Sequence, residues 1–74
     1  MISLDCRGKR CPVPVIALAR AVPEVPVGDV VRVVADDPAA AADIPAWCRL
    51  RGHEVAATGT GPDGVPWYEV RRLS

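Results

Sequence analysis

Prolines and glycines constrain the fold of this chain more than any other feature of its sequence. Eight prolines and six glycines interrupt only 74 residues, so every helix and strand has to be short. Half of the residues are apolar, which excludes a disordered chain, and the length allows one small core. We therefore expect a single domain over residues 1–74.

The charge balance and the apolar pattern exclude several classes of protein. Nine basic residues balance nine acidic ones, whereas a nucleic-acid-binding protein normally has a basic excess. No apolar run approaches the roughly 20 residues that span a bilayer, and the N-terminus lacks the basic and apolar regions of a signal peptide. We expect a cytoplasmic monomer that contacts neither nucleic acid nor membrane directly.

The first half of the chain predicts a strand, a helix and a second strand. Ile2 and Leu4 alternate with polar residues, as in a short strand. Proline suits the first turn of a helix, and Ala and Leu propagate it, so a helix is predicted from about Pro12 to Val22. The β-branched run at 30–35 is typical of an interior strand.

A second helix is predicted from about Asp43 to Arg51, ending at Gly52. Asp43 is a good N-cap residue, and Pro45 would then lie in the first turn. A regular helix running through Pro45 from the preceding alanines is not expected. Asp36 and Asp37, which come before those alanines, are interpreted as turn and cap residues.

Two further strands, at 53–60 and 66–73, flank a strong turn signal and form a hairpin. The predicted order is thus βαβαββ. The first two strands should pair in parallel through a right-handed crossover, and the last two should be antiparallel. Two helices can cover one face of a four-stranded mixed sheet, so the fold class is α/β (α+β), a two-layer α/β sandwich.

Cys11 is the residue that most directly suggests chemistry. It lies directly before Pro12 at the predicted start of the first helix, where unsatisfied N–H groups and the helix dipole favour an anion. Such positions lower the pKa of a thiol, and Lys9 and Arg10 add positive charge. A reactive thiolate is one interpretation, and an inert buried cysteine is the other.

The other two cysteines allow further hypotheses. Cys48 lies on the apolar face of the second predicted helix, so we expect it in the core, and Cys6 is interpreted by default as a small filler. Cys6, Cys11, Cys48 and His53 could form a Cys3His zinc site, although zinc pairs more often have C-x2-C spacing. We expect no metal. A disulfide switch between Cys6 and Cys11 is a lesser alternative.

The first predicted helix is apolar on nearly every side. Its only charge between Val13 and Val22 is Arg20, whereas a helix in a two-layer sandwich needs only one apolar stripe. Val13, Val15 and Leu18 could therefore leave an apolar docking surface near Cys11, or the alanine-rich faces could expose too little area to matter.

The segment from Leu4 to Val15 resembles the N-terminal signature of the TusA-like (SirA-like) sulfur-carrier family, whose hallmark is Cys-Pro-x-Pro. The resemblance extends over nearly the whole chain and implies the same βαβαββ two-layer fold. Its further landmarks are Gly28, Asp36-Asp37-Pro38, Asp43-Ile44-Pro45 and Gly52-His53.

The resemblance also implies a function. Cys11 would accept sulfane sulfur as a persulfide from a cysteine desulfurase or another sulfurtransferase and pass it to an acceptor protein, in tRNA thiolation, cofactor biosynthesis or sulfur oxidation. Pro12 and Pro14 would fix the loop-to-helix geometry, Lys9 and Arg10 would favour the anion, and the transient persulfide would be the only cofactor. The alternative is a non-catalytic interaction or regulatory module on the same fold.

Overall fold

Six regular elements follow one another in the predicted order βαβαββ. The computed structural model describes residues 1–74, and neither of its α-helices is long and apolar enough to cross a membrane. A 3-10 turn at Val22–Glu24 prolongs the first helix. The elements are β1 (Ile2–Asp5), α1 (Val13–Ala21), β2 (Val30–Val34), α2 (Ala40–Arg51), β3 (Glu54–Thr60) and β4 (Pro66–Arg71).

The four strands form one mixed sheet in the order β1-β2-β4-β3. β1 pairs with β2 in parallel, as expected for two strands joined by a helix, and β4 pairs antiparallel with both β2 and β3. Because β1 and β2 are parallel, their carboxyl ends meet at the same end of the sheet. The loops that follow these two strands are therefore neighbours in space.

The core lies between the sheet and the two helices, so the predicted two-layer α/β arrangement is confirmed. β2 is an interior strand, as predicted, and burial alternates along β2 and β4, with Val31 and Val33 of β2 and Tyr68 and Val70 of β4 buried. The helices contribute fully buried residues to the same cluster, notably Leu18, Ile44 and Cys48.

The second helix begins earlier than predicted. α2 starts at Ala40 and contains Pro45, so the expectation that the helix starts at Asp43 is wrong. The Ala40 N–H donates to the Asp37 carbonyl (3.0 Å), and the first turns form without the Pro45 N–H, which would have bonded to the Ala41 carbonyl. Ala41 is exposed, so water can bind this carbonyl at little cost.

The open face of the sheet carries a small polar and aromatic cluster. The Arg32 guanidinium stacks on the Trp67 ring, 4.2 Å from its centroid, and its Nε lies 3.4 Å from a Glu69 carboxylate oxygen. Gly59 pairs with Trp67 across the sheet, and a Cβ atom at Gly59 would overlap the indole ring. The ring can therefore lie flat only because residue 59 has no side chain.

Gly59→Ala should lower the free energy of unfolding by about 1–3 kcal/mol, because the added methyl forces the indole out of its position. Urea unfolding followed by circular dichroism measures this change. In a Trp67→Leu background the same substitution should be neutral or slightly stabilising, since alanine loses less backbone entropy than glycine. An equal loss in both backgrounds would contradict the proposed overlap.

Candidate functional site

Cys11 lies in the loop between β1 and α1, at the end of the sheet where β1 and β2 finish. Its side chain is half-buried and packs against the core, and the Cys11–Pro12 peptide bond is cis. Two consecutive carboxylates from the loop after β2 hold this loop. The Gly8 N–H donates to both Asp36 carboxylate oxygens (3.0 Å each), and the Cys11 N–H donates to Asp37 Oδ2 (2.9 Å).

Asp37 connects the cysteine loop to the second helix. Its Oδ1 accepts a hydrogen bond from the Ala39 N–H (2.9 Å) while Oδ2 holds the Cys11 N–H. Sequence reasoning assigned Asp36 and Asp37 a turn and cap role and missed the contact with the cysteine loop. The parallel pairing of the first two strands was the signal available, because it brings the following loops together.

Asp37 should contribute to the pH dependence of stability. The backbone N–H groups of Ala39 and Cys11 lower the pKa of its carboxyl below the ordinary 3.8. A lowered pKa in the folded state means that the stabilisation is complete above the unfolded pKa and is lost as pH falls through the folded pKa. Asp37→Asn should therefore lose less stability than wild type as pH falls below about 4.

Thermal unfolding at a series of pH values measures this effect. The melting temperature of Asp37→Asn is expected to lie below that of wild type at neutral pH and to approach it in acid. Parallel curves across the whole acid range would contradict the role of the Asp37 carboxylate.

The first turn of α1 has fewer free backbone N–H groups for binding an anion than the sequence analysis assumed for a helix start. Pro12 and Pro14 have no N–H group, and the Val13 N–H already donates to the Arg10 carbonyl (2.9 Å). At residues 12–14, therefore, no backbone N–H group is free to bind an anion. The expected stabilisation of a Cys11 thiolate by the helix start is correspondingly weak.

The surroundings of the Cys11 thiol disfavour its ionisation. Burial is the largest cause that raises its pKa to about 11, and the nearby acidic groups Asp43, Asp37 and Cys6 raise it further. The sequence-based expectation of a lowered pKa is wrong. A pKa this high keeps the Cys11 thiol protonated at neutral pH.

Lys9 and Arg10 are both exposed, and their charges act on other groups. Lys9 partly offsets the increase in the pKa of Cys6, which burial and Asp5 cause. Arg10 contributes to the lowered pKa of Asp37. Both residues therefore lie in the cysteine loop, and neither is among the causes of the pKa shift of Cys11.

The other two cysteines lie in the core. Cys6 is 4% exposed and Cys48 is 2% exposed, so the prediction that Cys48 is a core residue is confirmed. All three cysteines are free thiols. The Nδ1 atom of His53 accepts a hydrogen bond from the Leu73 N–H (3.1 Å).

The residues of the zinc hypothesis are not arranged as a metal site. No group of three or more His, Cys, Asp or Glu side chains in the chain could hold a metal ion. This geometry does not support the Cys3His alternative.

A groove of about 280 Å³ lies between α1 and α2, and its lining includes Asp43 and Pro12, the residue that follows Cys11. Val13 and Ile16 on the outer side of α1 are each more than 40% exposed, whereas Leu18 is fully buried. The predicted apolar surface is therefore real at the first turn of α1, but Leu18 does not belong to it. The remaining groove residues are Val15, Ala46, Trp47 and Leu50.

Comparison with known proteins agrees with this geometry. The chain is similar to the crystal structure of a SirA-like protein from Desulfitobacterium hafniense, with a TM-score of 0.85, 25% sequence identity and coverage of 100% of both chains. Residues 2–71 match the family model described as Sulfurtransferase TusA. The match spans every element of the fold and both loops that meet at Cys11, and the chain belongs to the TusA family of sulfurtransferases.

Proposed function

We propose that this protein is a sulfur carrier that accepts sulfane sulfur as a persulfide on Cys11 and relays it to an acceptor protein. Membership of the family implies sulfur transfer between donor and acceptor proteins in general. The observation that supports Cys11 as the carrier is its accessibility. Cys6 and Cys48 are buried, whereas Cys11 is only half-buried, in the loop before α1.

The chemistry is thiol–disulfide exchange with a sulfur atom as cargo. In loading, Cys11 Sγ attacks the outer sulfur of a donor persulfide, the bond between the two donor sulfurs breaks, and the donor leaves as a thiolate. In delivery, an acceptor thiolate attacks the outer sulfur of the Cys11 persulfide, and the Cys11 thiolate leaves. The loop held by Asp36 and Asp37, with Pro12 and Pro14 after it, keeps Sγ at the protein surface.

The high pKa of Cys11 suits a carrier that must protect its cargo. A protonated thiol reacts slowly with oxidants, and a thiolate of high pKa is a poor leaving group. The loaded sulfur is therefore retained until an acceptor and a proton are both in place. The donor is a cysteine desulfurase or another sulfurtransferase in the cytoplasm, and the acceptor serves tRNA thiolation, cofactor biosynthesis or sulfur oxidation.

Peptide mapping tests the assignment. The protein is incubated with a cysteine desulfurase and cysteine, alkylated, digested and analysed by mass spectrometry. We expect a gain of about 32 Da, one sulfur atom, on the peptide that contains Cys11. Sulfur on Cys6 or Cys48 alone would refute the assignment. Binding of the desulfurase without any gain in mass would instead favour the non-catalytic interaction module.

A further inference from the structure

A cavity of about 240 Å³ lies between the last turns of α1 and α2, and the function proposed for Cys11 does not use it. Arg51, the last residue of α2, and His53, directly before β3, belong to its lining. Trp47 lines it as well, and its ring centroid lies 5.5 Å from that of the His53 imidazole. The remaining lining residues are apolar: Ala19, Val22 and Pro23.

Two hydrogen-bond donors in this lining have no acceptor in the chain. Because His53 Nδ1 accepts the Leu73 N–H, the proton of the neutral imidazole is on Nε2, and this Nε2–H donates to no other residue. The Arg51 guanidinium forms neither an ion pair nor a hydrogen bond within the chain. Both groups are therefore free to donate to a ligand.

The charge of this lining distinguishes the cavity from the other two cavities in the chain. Arg51 is basic, and none of the six lining residues is acidic. The groove between α1 and α2, by contrast, is lined by Asp43. The third cavity, on the open face of the sheet, is lined by Asp63, which lies 3.4 Å from the Arg7 guanidinium. An anion in the cavity beside Arg51 thus meets a positive charge and no carboxylate in the lining.

Carbonyl groups at the ends of the two helices would oppose an anion if no donors covered them. At the end of α2, the His53 N–H donates to the Cys48 carbonyl (2.8 Å). Beyond α1, the Arg72 guanidinium donates to the carbonyls of Pro23 (3.3 Å) and Val25 (2.7 Å). Donors of the chain thus cover these carbonyls, and Arg72 adds a positive charge beside the lining residue Pro23.

We propose that this cavity binds a small organic anion in which one carboxylate is attached to an apolar body. The Arg51 guanidinium and the His53 Nε2–H donate to the carboxylate, and a hydrogen bond between two charged groups is among the strong ones. The apolar body contacts the Trp47 ring and the apolar part of the lining. Since the volume of about 240 Å³ is below the roughly 300–1,000 Å³ of typical ligand sites, the ligand is about the size of one substituted ring.

Benzoate is a suitable probe, because it combines one carboxylate with an apolar ring. NMR spectra of the ¹⁵N-labelled full chain follow the two tryptophan indole N–H signals during a titration at neutral pH. We expect the Trp47 signal to move with a dissociation constant of about 1–10 mM. The Trp67 signal should stay in place, because that ring stacks with Arg32 on the open face of the sheet. Benzyl alcohol, which carries the same ring without the charge, should bind at least about tenfold more weakly.

Arg51→Gln should weaken benzoate binding about tenfold, because the charged donor is lost. Arg49→Gln is the matched control, since Arg49 is an exposed arginine of the same helix that forms no ion pair and does not line the cavity. It removes the same charge from the protein, but it should change the dissociation constant by less than about twofold. Both arginines are exposed, so both variants should fold like wild type, which circular dichroism checks.

Four results would overturn this proposal. A Trp47 signal that does not move at benzoate concentrations up to about 50 mM would exclude the site. Equal losses in Arg49→Gln and Arg51→Gln would show that net charge alone attracts the anion. Benzyl alcohol that binds as tightly as benzoate would exclude recognition of the carboxylate, and acetate or inorganic phosphate that does so would exclude recognition of the apolar body. None of these results affects the assignment of sulfur to Cys11, which peptide mapping tests separately.

Discussion

Cys11→Ser is expected to slow the delivery of sulfur from a persulfide donor to an acceptor by more than about a hundredfold. A serine hydroxyl ionises far less readily than a thiol and forms no sulfur–sulfur bond, so the loaded intermediate cannot form. Transfer of radiolabelled sulfur from cysteine, through a desulfurase and this protein, to an acceptor protein measures the rate.

Cys48→Ala is the matched control, because Cys48 is 2% exposed and cannot meet a partner. Its transfer rate should stay close to that of wild type, although its stability falls slightly.

Cys6→Ala distinguishes a sulfur carrier from a disulfide switch. A carrier needs only Cys11, whereas a switch needs both thiols and should form an intramolecular disulfide that Cys6→Ala abolishes. Full delivery by Cys11→Ser would be incompatible with the proposed function.

Leu18→Ala should lower the free energy of unfolding by about 3 kcal/mol. Leu18 is fully buried in the core beneath α1, and its truncation loses the transfer free energy of the removed atoms and leaves a cavity. A domain of this size has a total stability of only about 4–10 kcal/mol, so this loss is a large part of it. Urea unfolding at neutral pH measures the difference.

Leu50→Ala is the matched control for this truncation. Leu50 also lies in a helix, but 78% of its surface is exposed, so the same change should alter stability by no more than about 0.5 kcal/mol. Alanine is at least as good a helix former as leucine, so neither variant loses helix propensity. Similar losses for both variants would show that the α1–sheet contact is not the source of the stability.

The fold could be predicted from the sequence because its determinants are local. Prolines and glycines marked the ends of the helices and strands, and the β-branched run at 30–35 indicated an interior strand, which is β2. The error at the start of α2 arose at Pro45. The rule against proline within a helix is weaker near its N-terminus, where an exposed carbonyl can bind water.

The environment of Cys11 could not be predicted, because it depends on residues that only folding brings close. Asp37 lies 26 residues from Cys11 in sequence but accepts its N–H at 2.9 Å, and Asp43, on α2, contributes to the raised pKa of the thiol. The local neighbours Lys9 and Arg10 suggested a positive site, but their charges act on Cys6 and Asp37. Coulombic effects follow distance in space and not separation in sequence.

The sequence by itself determined the order of elements, the two-layer architecture and the position of Cys11 just before a helix, because short-range patterns encode each of these. Only the tertiary structure decided which cysteine is accessible and in which direction its pKa moves. Both depend on the parallel pairing of β1 and β2, which brings the Cys11 loop onto the two aspartates after β2, and on the burial of the thiol against the core.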